Sequence, residues 1–250
     1  MSLIETESLV LKSYNLAEAD KIVVFLTHDH GVVRGVAKGV KRLKSKFGSG
    51  LEPFSIVRVT YFQKEVTELV SIQNVELVRS YFTAAGDPEF LQKFSYLSEL
   101  LITFSPPHDP NETLYRMATT CLETAADDLG SLLSIGVYFE LWLLRIAGYL
   151  PDWGSCTQCN RTFDESEDAS LASNFHLMCG ACRRTSGSRV IGATNRAMYA
   201  ATRRLSPQQF AEYTSEMDSQ LKDLSQILKR IISHSIGREV TGEISLAVNN

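Results

Sequence analysis

Two pairs of cysteines with the spacing C-x-x-C constrain the fold of this 250-residue chain more than any other feature. Cys156 and Cys159 form the first pair, Cys179 and Cys182 form the second, and 19 residues lie between the pairs. A two-residue turn points both thiolates of a pair inward, and two such turns close a tetrahedron around a metal ion. The spacing therefore predicts a zinc site with four sulfur ligands.

Four thiolates occupy every position of a tetrahedral zinc ion, so none remains for water. We therefore expect one structural Zn2+, and not the open metal position that a zinc hydrolase or deaminase needs. A deaminase would also carry an H-x-E motif, and the nearest match, residues 28–30 (HDH), lacks the glutamate. The polar stretch between the pairs, residues 160–178, buries too little surface to fold alone, so the metal would hold it. His176 is surplus to the four sulfurs.

Other interpretations of the cysteines explain less. Disulfides would need an oxidising compartment, and a redox C-x-x-C motif would follow a strand, which residues 151–155 (PDWGS) do not resemble. The fifth cysteine, Cys121, lies in an apolar helical stripe and is predicted to be a core residue.

The hydrophobic pattern predicts an α+β protein. Short β-branched runs punctuated by glycine between Leu9 and Phe82 are typical of a small five-stranded barrel. From about Pro88 the apolar positions follow helical spacing. The predicted helical segments are residues 90–101, 114–125, 132–146, 194–205 and a long helix that begins at Ser206 and ends near Gly237.

A basic segment, residues 34–46, interrupts a chain whose net charge is −4. No acidic residue lies between Gly31 and Leu51, and glycines and serines surround the cations. The six basic residues are Arg34, Lys38, Lys41, Arg42, Lys44 and Lys46. A flexible loop of this composition favours contact with DNA phosphates without much sequence preference. The alternative is a solvated loop that only keeps the protein soluble.

Other signals of function are few. Neither G-x-x-x-x-G-K-[ST] nor a catalytic nucleophile motif occurs, so we expect no ATPase and no other enzyme. No run of 18 apolar residues and no basic leader occurs, so we expect a cytoplasmic protein with no membrane partner. Several aromatic residues of the barrel could stack on bases but are more often core: Tyr14, Phe25, Phe54, Tyr61 and Phe62. Strand alternation puts Tyr61 and Phe62 on opposite faces.

The ordered combination of these motifs resembles the RecO family of bacterial recombination mediators. The resemblance rests on residues 27–31 (THDHG), 36–42 (VAKGVKR), 45–47 (SKF), 51–54 (LEPF) and 138–151 (YFELWLLRIAGYLP), the last running into the first cysteine pair. It spans nearly the whole chain. The family's pattern has glycine where this chain has Asn160, and glycines before the second pair where this chain has residues 174–178 (NFHLM). Asparagine tolerates positive φ, so we expect the first turn to survive.

The resemblance implies an OB-fold domain over residues 1–82 and an α-helical domain over 83–250, with a zinc-finger-like insertion at about 153–189. It implies binding to single- and double-stranded DNA, strand annealing, partnership with RecR, and help in loading RecA during gap repair in the nucleoid. It also implies that the helical domain docks the acidic, hydrophobic tail of the single-strand-binding protein. Candidate arginines for that groove are Arg116, Arg145, Arg196, Arg203 and Arg204.

Two further hypotheses concern how this chain reaches DNA. In one, the protein is a zinc-containing adaptor that contacts only other proteins. In the other, the zinc segment itself contacts DNA through the arginines beside its last cysteine, Arg183, Arg184 and Arg189.

Overall fold

The computed structural model describes residues 2–43, 45–63, 68–183 and 189–240. These residues form two compact units, of which the first reaches to Leu129 and the second runs from Gly130 to Glu239. The boundary predicted between residues 82 and 83 divides the chain by secondary structure and stays a prediction. Grouping by contacts keeps the first three helices with the strands.

Five strands close into a barrel in the order β1-β2-β3-β5-β4, with β4 paired back to β1. The strands are β1 (Ser2–Asn15), β2 (Lys21–Thr27), β3 (Gly31–Ala37), β4 (Ile56–Gln63) and β5 (Leu69–Arg79). All neighbours are antiparallel except β3 and β5, which are parallel. This five-stranded barrel is the OB-fold. The predicted fold class is confirmed.

The barrel interior is filled by one side chain in two from each strand, as the period of a strand requires. Val10, Phe25, Val33, Val59 and Tyr61 are among the residues of this core. Tyr61 is fully buried, whereas 37% of Phe62 is exposed, so the two lie on opposite faces as predicted. Among the described residues the buried hydroxyl of Tyr61 has no hydrogen-bond partner, and burial raises its pKa to about 12.

Three helices complete the first unit: α1 (Phe82–Ala85), α2 (Pro88–Phe104) and α3 (Glu112–Asp127). Asp87 begins α2, because its carboxylate accepts the backbone N–H groups of Glu89 and Phe90 and Pro88 fits the first helical position. The rings of Phe90 and Phe94 pack at 6.2 and 6.0 Å from that of Phe54. The helix thereby closes the outer face of β1.

The connection between α2 and α3 lies against the start of β3. Val32 pairs with Pro107 as an isolated bridge, and a Cβ on Gly31 would stand 2.2 Å from the carbonyl oxygen of Asp109. Gly31 also has a φ of +65°. Only glycine satisfies both conditions. On α3, Cys121 is fully buried, which confirms its predicted core position.

The second unit is helical, with one small sheet. After a 3₁₀ turn (Leu129–Ser131) its helices are α4 (Leu132–Ile146), α5 (Ala193–Ala201), α6 (Pro207–Tyr213) and α7 (Asp218–Ile236). The sheet has the order β7-β6-β8, from Leu177–Met178, Ala169–Leu171 and Val190–Ile191. The stretch Leu129–Ile146 is long and apolar enough to cross a membrane, but 67% of it is buried inside the protein. It is the central core helix that its composition predicted.

The prediction of one long helix from Ser206 is wrong, because α6 ends at Tyr213 and α7 begins at Asp218. Thr214 lies at the break. Its buried hydroxyl lies 2.8 Å from the carbonyl oxygen of Phe210 and 2.9 Å from the hydroxyl of Ser134 on α4. Thr120 and Thr124 make the same bond to a carbonyl four residues back inside the unbroken α3, so the contact with α4 is what distinguishes Thr214. The predicted ends are confirmed: Ser206 forms a capping box, and Gly237 ends α7 with a φ of +71°.

Candidate metal centre and nucleic-acid interface

The four predicted cysteine ligands meet in one cluster. Their sulfur atoms all lie within 4.8 Å of one another, and the sulfurs of Cys159 and Cys179 are 3.9 Å apart. Sulfurs around a tetrahedral zinc ion at 2.3 Å stand about 3.8 Å apart. His176 is not part of the cluster. The donor set and its spacing are therefore compatible with a metal ion.

Tight backbone turns position each pair. The N–H of Asn160 donates to the carbonyl of Cys156 at 2.8 Å, and Asn160 has the positive φ, +58°, that its departure from glycine required. Phe175 likewise has a φ of +63°, in the stretch where the family's pattern has glycines. An aromatic residue adopts this conformation only where its surroundings hold it. The indole of Trp153 does so by donating to the Phe175 carbonyl at 3.0 Å.

The thiols of the cluster differ in acidity. Burial opposes ionisation of Cys156, but backbone N–H groups of Cys179, Cys159 and Gln158 outweigh it and lower the pKa to about 6. The thiol of Cys182 donates to the sulfurs of Cys179 and Cys159, which raises its pKa to about 12. Four sulfurs this close cannot all be anionic without a cation between them. Full ionisation of the cluster therefore requires a metal ion.

Helix α5 anchors the polypeptide around the cysteines through Arg196. This side chain is 9% exposed, and its guanidinium donates to the carbonyl oxygens of Trp153, Asp164 and Glu167. It also lies 4.6 Å from the ring centre of Phe163. A single charged group thus satisfies three backbone acceptors from segments on both sides of the first cysteine pair.

Two further contacts attach the same region to α5. The rings of Trp153 and Tyr199 pack at 5.4 Å, and the carboxylate of Asp168 accepts the N–H of Ala193 at 2.9 Å. On the surface Arg161 pairs with Glu167 through both of its terminal nitrogens, at 2.8 and 2.6 Å. The polypeptide around the cysteines is thus a small lobe fixed to one helix, and it is called the metal-centred lobe here for its candidate metal site.

The basic segment is only partly a loop. Arg34 lies in β3, paired through its backbone with Val24, so its prediction as a loop residue is wrong. β-Branched residues at 32, 33 and 36 continue the strand through it. The loop begins at Lys38, and Lys44 lies outside the described residues. The five described basic side chains, Arg34, Lys38, Lys41, Arg42 and Lys46, are all exposed.

Apolar residues fix the basic loop to the barrel. Phe47 and Leu51 are 3% and 2% exposed and belong to the barrel core. The carboxylate of Asp20 accepts the N–H of Gly39 at 2.7 Å, and the ammonium of Lys41 donates to the carbonyl of Ala17 at 3.4 Å. The loop is therefore held against the β1–β2 turn while its charges face solvent. No ion pair joins its described cations to a described carboxylate.

The candidate arginines of the helical domain do not form one group. Arg116 is exposed on α3, and Arg196 serves the metal-centred lobe. Arg145 stacks between the rings of Trp142 and Tyr199, at 4.9 and 5.6 Å from their centres. Arg203 also stacks on a ring and donates to the hydroxyl of Tyr199. The sequence did not reveal the stack of Arg145 on Tyr199, because it joins α4 to α5.

Arg204 lines a pocket of about 510 Å³ in the second unit. The other lining residues are mostly apolar: Phe163, Glu165, Arg196, Ala197, Ala200, Ala201, Leu205 and Tyr213. Small alanines on one face of α5 make the space, because they leave room that larger side chains would fill. Of the arginines beside the last cysteine, Arg183 is exposed, Arg189 donates to Gln226 at 3.3 Å, and Arg184 lies outside the described residues.

Comparison with known proteins gives the same assignment for both parts of the chain. The family model "Recombination protein O N terminal" matches residues 1–81, and "Recombination protein O C terminal" matches residues 87–242. A DNA repair protein RecO of Bifidobacterium longum (strain DJO10A) is 33% identical over 192 residues, which cover 76% of this chain and 78% of the relative.

Two further relatives agree. A DNA repair protein RecO of Koribacter versatilis is 31% identical over 161 residues, covering 64% of this chain and 65% of the relative. One of Geobacter metallireducens is 31% identical over 183 residues, covering 73% and 74%. Two family models in the expected order, a closed five-stranded barrel and a clustered set of four cysteines confirm the resemblance found in the sequence. The chain belongs to the RecO family of DNA repair proteins.

Proposed function

We propose that this protein binds single- and double-stranded DNA through the basic segment of its barrel and promotes strand annealing. The observation that carries the proposal is the set of five exposed basic side chains, fixed to an OB-fold and without a carboxylate partner among the described residues. Phosphate contacts release counterions and carry no sequence information. Binding is therefore strong at low salt and nearly independent of sequence.

A charge-matched pair of variants tests this proposal by fluorescence anisotropy with labelled oligonucleotides across a salt series. One variant combines Lys38→Ala, Lys41→Ala and Arg42→Ala; the control combines Lys222→Ala, Lys229→Ala and Arg230→Ala on exposed positions of α7. The first variant should bind weakly, with a salt slope smaller by about 2 on single strands. The control should bind like the wild type. Equal losses in both variants would mean that only net charge matters.

The four cysteines would hold one structural Zn2+ in this proposal. Sulfur donors select zinc among the common divalent ions, and four of them leave no position for a substrate. The metal would fold the polar lobe and take no part in chemistry. Metal analysis should find one zinc per chain, removed only by chelators strong enough to unfold the lobe. Substoichiometric metal in freshly purified protein would contradict this.

The family's partners follow from the same proposal. The pocket beside Arg204 has a mostly apolar lining with Arg204 and Glu165 as its exposed charged residues, and Arg204 could pair with an acidic, hydrophobic peptide such as the tail of the single-strand-binding protein. Arg204→Glu should abolish binding of that peptide, measured by calorimetry, while Arg116→Glu on an exposed face of α3 should not. Together with RecR, the protein would then help load RecA onto coated DNA in the nucleoid of the cytoplasm.

The second candidate function is a zinc-containing adaptor that reaches DNA only through partners. The pocket beside Arg204 favours it, because peptide docking there needs no DNA contact. An adaptor would show no DNA binding by the wild type at low salt and undiminished peptide binding. Binding that survives in the loop variant and is lost on Arg183→Ala would instead move the DNA site to the metal-centred lobe.

A further inference from the structure

The outer face of the barrel carries an apolar strip next to the basic segment. Tyr14 on β1 is paired with Ile22 on β2, and Ile22 is paired with Val36 on β3. Residues paired across neighbouring strands point to the same face, so the three side chains form one row. Tyr14 is 40% exposed, and Ile22 and Val36 are half-buried. The strip therefore presents an aromatic ring and two aliphatic side chains to solvent.

A second row beside this strip is cationic. Lys12 is paired with Val24, and Val24 is paired with Arg34, so Lys12 and Arg34 lie on the same face about 10 Å apart. The ammonium of Lys12 stands 5.3 Å from the ring centre of Tyr14. The ring is thus oriented by a cation that is itself placed to meet a phosphate.

A bulge in β1 produces this arrangement. The register shifts between Val10, which faces the barrel core opposite Phe25, and Lys12. The extra residue, Leu11, turns the rest of the strand over, so that Lys12 and Tyr14 point outward and not into the barrel. Without the bulge, alternation would place a lysine in the core.

The basic loop adjoins the same end of the barrel. Its bonds to the β1–β2 turn, from Gly39 to Asp20 and from Lys41 to Ala17, hold Lys38, Lys41 and Arg42 beside the strand that bears Tyr14. Two nearby carboxylates are engaged, since Asp20 caps the loop and Glu52 lies 3.9 Å from Lys21, and the third, Glu18, is exposed in the turn. Toward the other end of β3, the outer face is covered where Val32 pairs with Pro107.

We infer that Tyr14 is a base-stacking residue and that the strip Tyr14–Ile22–Val36, flanked by Lys12 and Arg34, is a binding platform specific for single-stranded DNA. This inference rests on the proposed DNA-binding function and divides it into two parts. The basic loop holds the phosphates of any nucleic acid. The platform holds unpaired bases, because every base has a π-face and a duplex hides it.

Single-strand selectivity follows from the geometry. An OB-fold binds oligonucleotides across its second and third strands and the adjoining turns, which is the face that carries the strip. A base stacked on Tyr14 would place its phosphates within reach of Lys12 and Arg34, which lie one row away on the same face. Duplex DNA has no free base to offer, so it gains only the charge contacts.

The test compares Tyr14→Ala, Tyr14→Phe and the control Phe62→Ala by anisotropy on single-stranded, duplex and abasic single-stranded oligonucleotides. Phe62 is exposed to a similar extent on the same barrel, but it pairs with Leu3, about 36 Å along β1 from Tyr14. Tyr14→Ala should weaken binding to single strands by about tenfold, with an unchanged salt slope. It should leave duplex and abasic binding unchanged, and Tyr14→Phe and Phe62→Ala should behave as wild type.

Equal losses on single-stranded and duplex DNA, or no loss, would overturn the inference, and so would an undiminished effect on abasic strands. These outcomes differ from a failure of the proposed function, which would appear as wild-type affinity in the variant with Lys38, Lys41 and Arg42 replaced by alanine. If that variant binds normally while Tyr14→Ala still weakens single strands alone, the platform is supported and the loop is not the phosphate site.

Discussion

The barrel and the metal-centred lobe are stabilised in different ways. The barrel surrounds a continuous apolar core, drawn from all five strands and from Phe47 and Leu51 of the basic loop. The lobe, residues 152–183, buries few large side chains, chiefly Trp153 and Phe163. It relies on four sulfurs and on the hydrogen bonds of Arg196. A small segment that lacks a large core is held by metal ligation and by a few specific bonds.

This difference has a consequence for how each region fails. Loss of apolar volume in the barrel lowers the stability of the whole unit, because the core is shared by every strand. Loss of one cysteine from the lobe would remove the proposed metal ion and with it most of what orders the segment.

Cys179→Ser should unfold the lobe and leave the barrel intact. Structural zinc contributes on the order of 10 kcal/mol to the folding of small metal domains, and loss of one of four thiolates removes a large part of that binding energy. Hydrogen exchange should show lost protection over residues 153–183 with unchanged protection in β1–β5. Cys121→Ala is the control, since it removes a buried thiol from α3 but leaves the metal in place. A full metal content in Cys179→Ser would refute the contrast.

Phe25→Ala should destabilise the barrel by about 3–5 kcal/mol, because it leaves a cavity in a closed core. Chemical denaturation followed by circular dichroism measures the loss, and the zinc content should not change. Phe62→Ala, at a partly exposed position on the same barrel, should change stability by no more than about 0.5 kcal/mol. Comparable losses in both variants would show that burial does not govern the stability of the barrel.

Arg196→Met should detach the lobe from α5 without releasing the metal. Three carbonyl oxygens lose a charged donor, at a cost of about 2 kcal/mol. Faster hydrogen exchange at residues 164–168, with one metal ion still bound, is the expected result. Arg230→Met, at an exposed position of α7, serves as the control. Loss of metal in Arg196→Met would mean that the helix contacts and the sulfur site cannot be separated.

Asp29→Asn should lower the pKa of His28. The hydrogen bond from His28 Nδ1 to Asp29, at 2.6 Å, raises the histidine pKa and lowers that of the carboxyl. The stabilisation of the folded state that comes from the raised histidine pKa is complete below pH 6.5, and it is lost as the pH rises through that raised pKa. The stabilisation that comes from the lowered aspartate pKa is present above the ordinary pKa of the carboxyl group, and it is lost as the pH falls through the lowered pKa. Both groups are solvent-exposed, so the effect is small. NMR titration measures it, and an unchanged His28 pKa would exclude the pair.

Local patterns made the metal centre predictable. The cluster could be predicted because the C-x-x-C spacing determines the turn geometry and the residue type determines the ligand chemistry. The four cysteines are Cys156, Cys159, Cys179 and Cys182. The ends of the last helices also followed, because the capping box at Ser206 and the left-handed Gly237 are properties of a few adjacent residues.

Tertiary contacts decided what the sequence could not. At the break between α6 and α7, Thr214 bonds to Ser134, 80 positions away in the chain. An arginine in a helix is usually a surface residue, but Arg196 is one of the buried residues of α5, as is Met198. Its carbonyl partners could not be inferred from periodicity. Arg34 was predicted to lie in the loop because the cluster of basic residues is a stronger pattern there than the alternation of the strand, in which Arg34 lies.

The parallel pairing of β3 with β5 fixes the order in which the barrel can assemble during synthesis. Arg34 on β3 pairs with Leu69 on β5. One edge of β3 therefore stays unpaired while the basic loop and β4 are synthesised. Until Arg79 has been made, β3 and β4 both present open edges, and such edges attract other chains. The basic loop, which connects β3 and β4, carries positive charge that opposes association with another copy of the chain. The residues proposed to hold DNA in the finished protein therefore also keep the unfinished barrel apart from its neighbours.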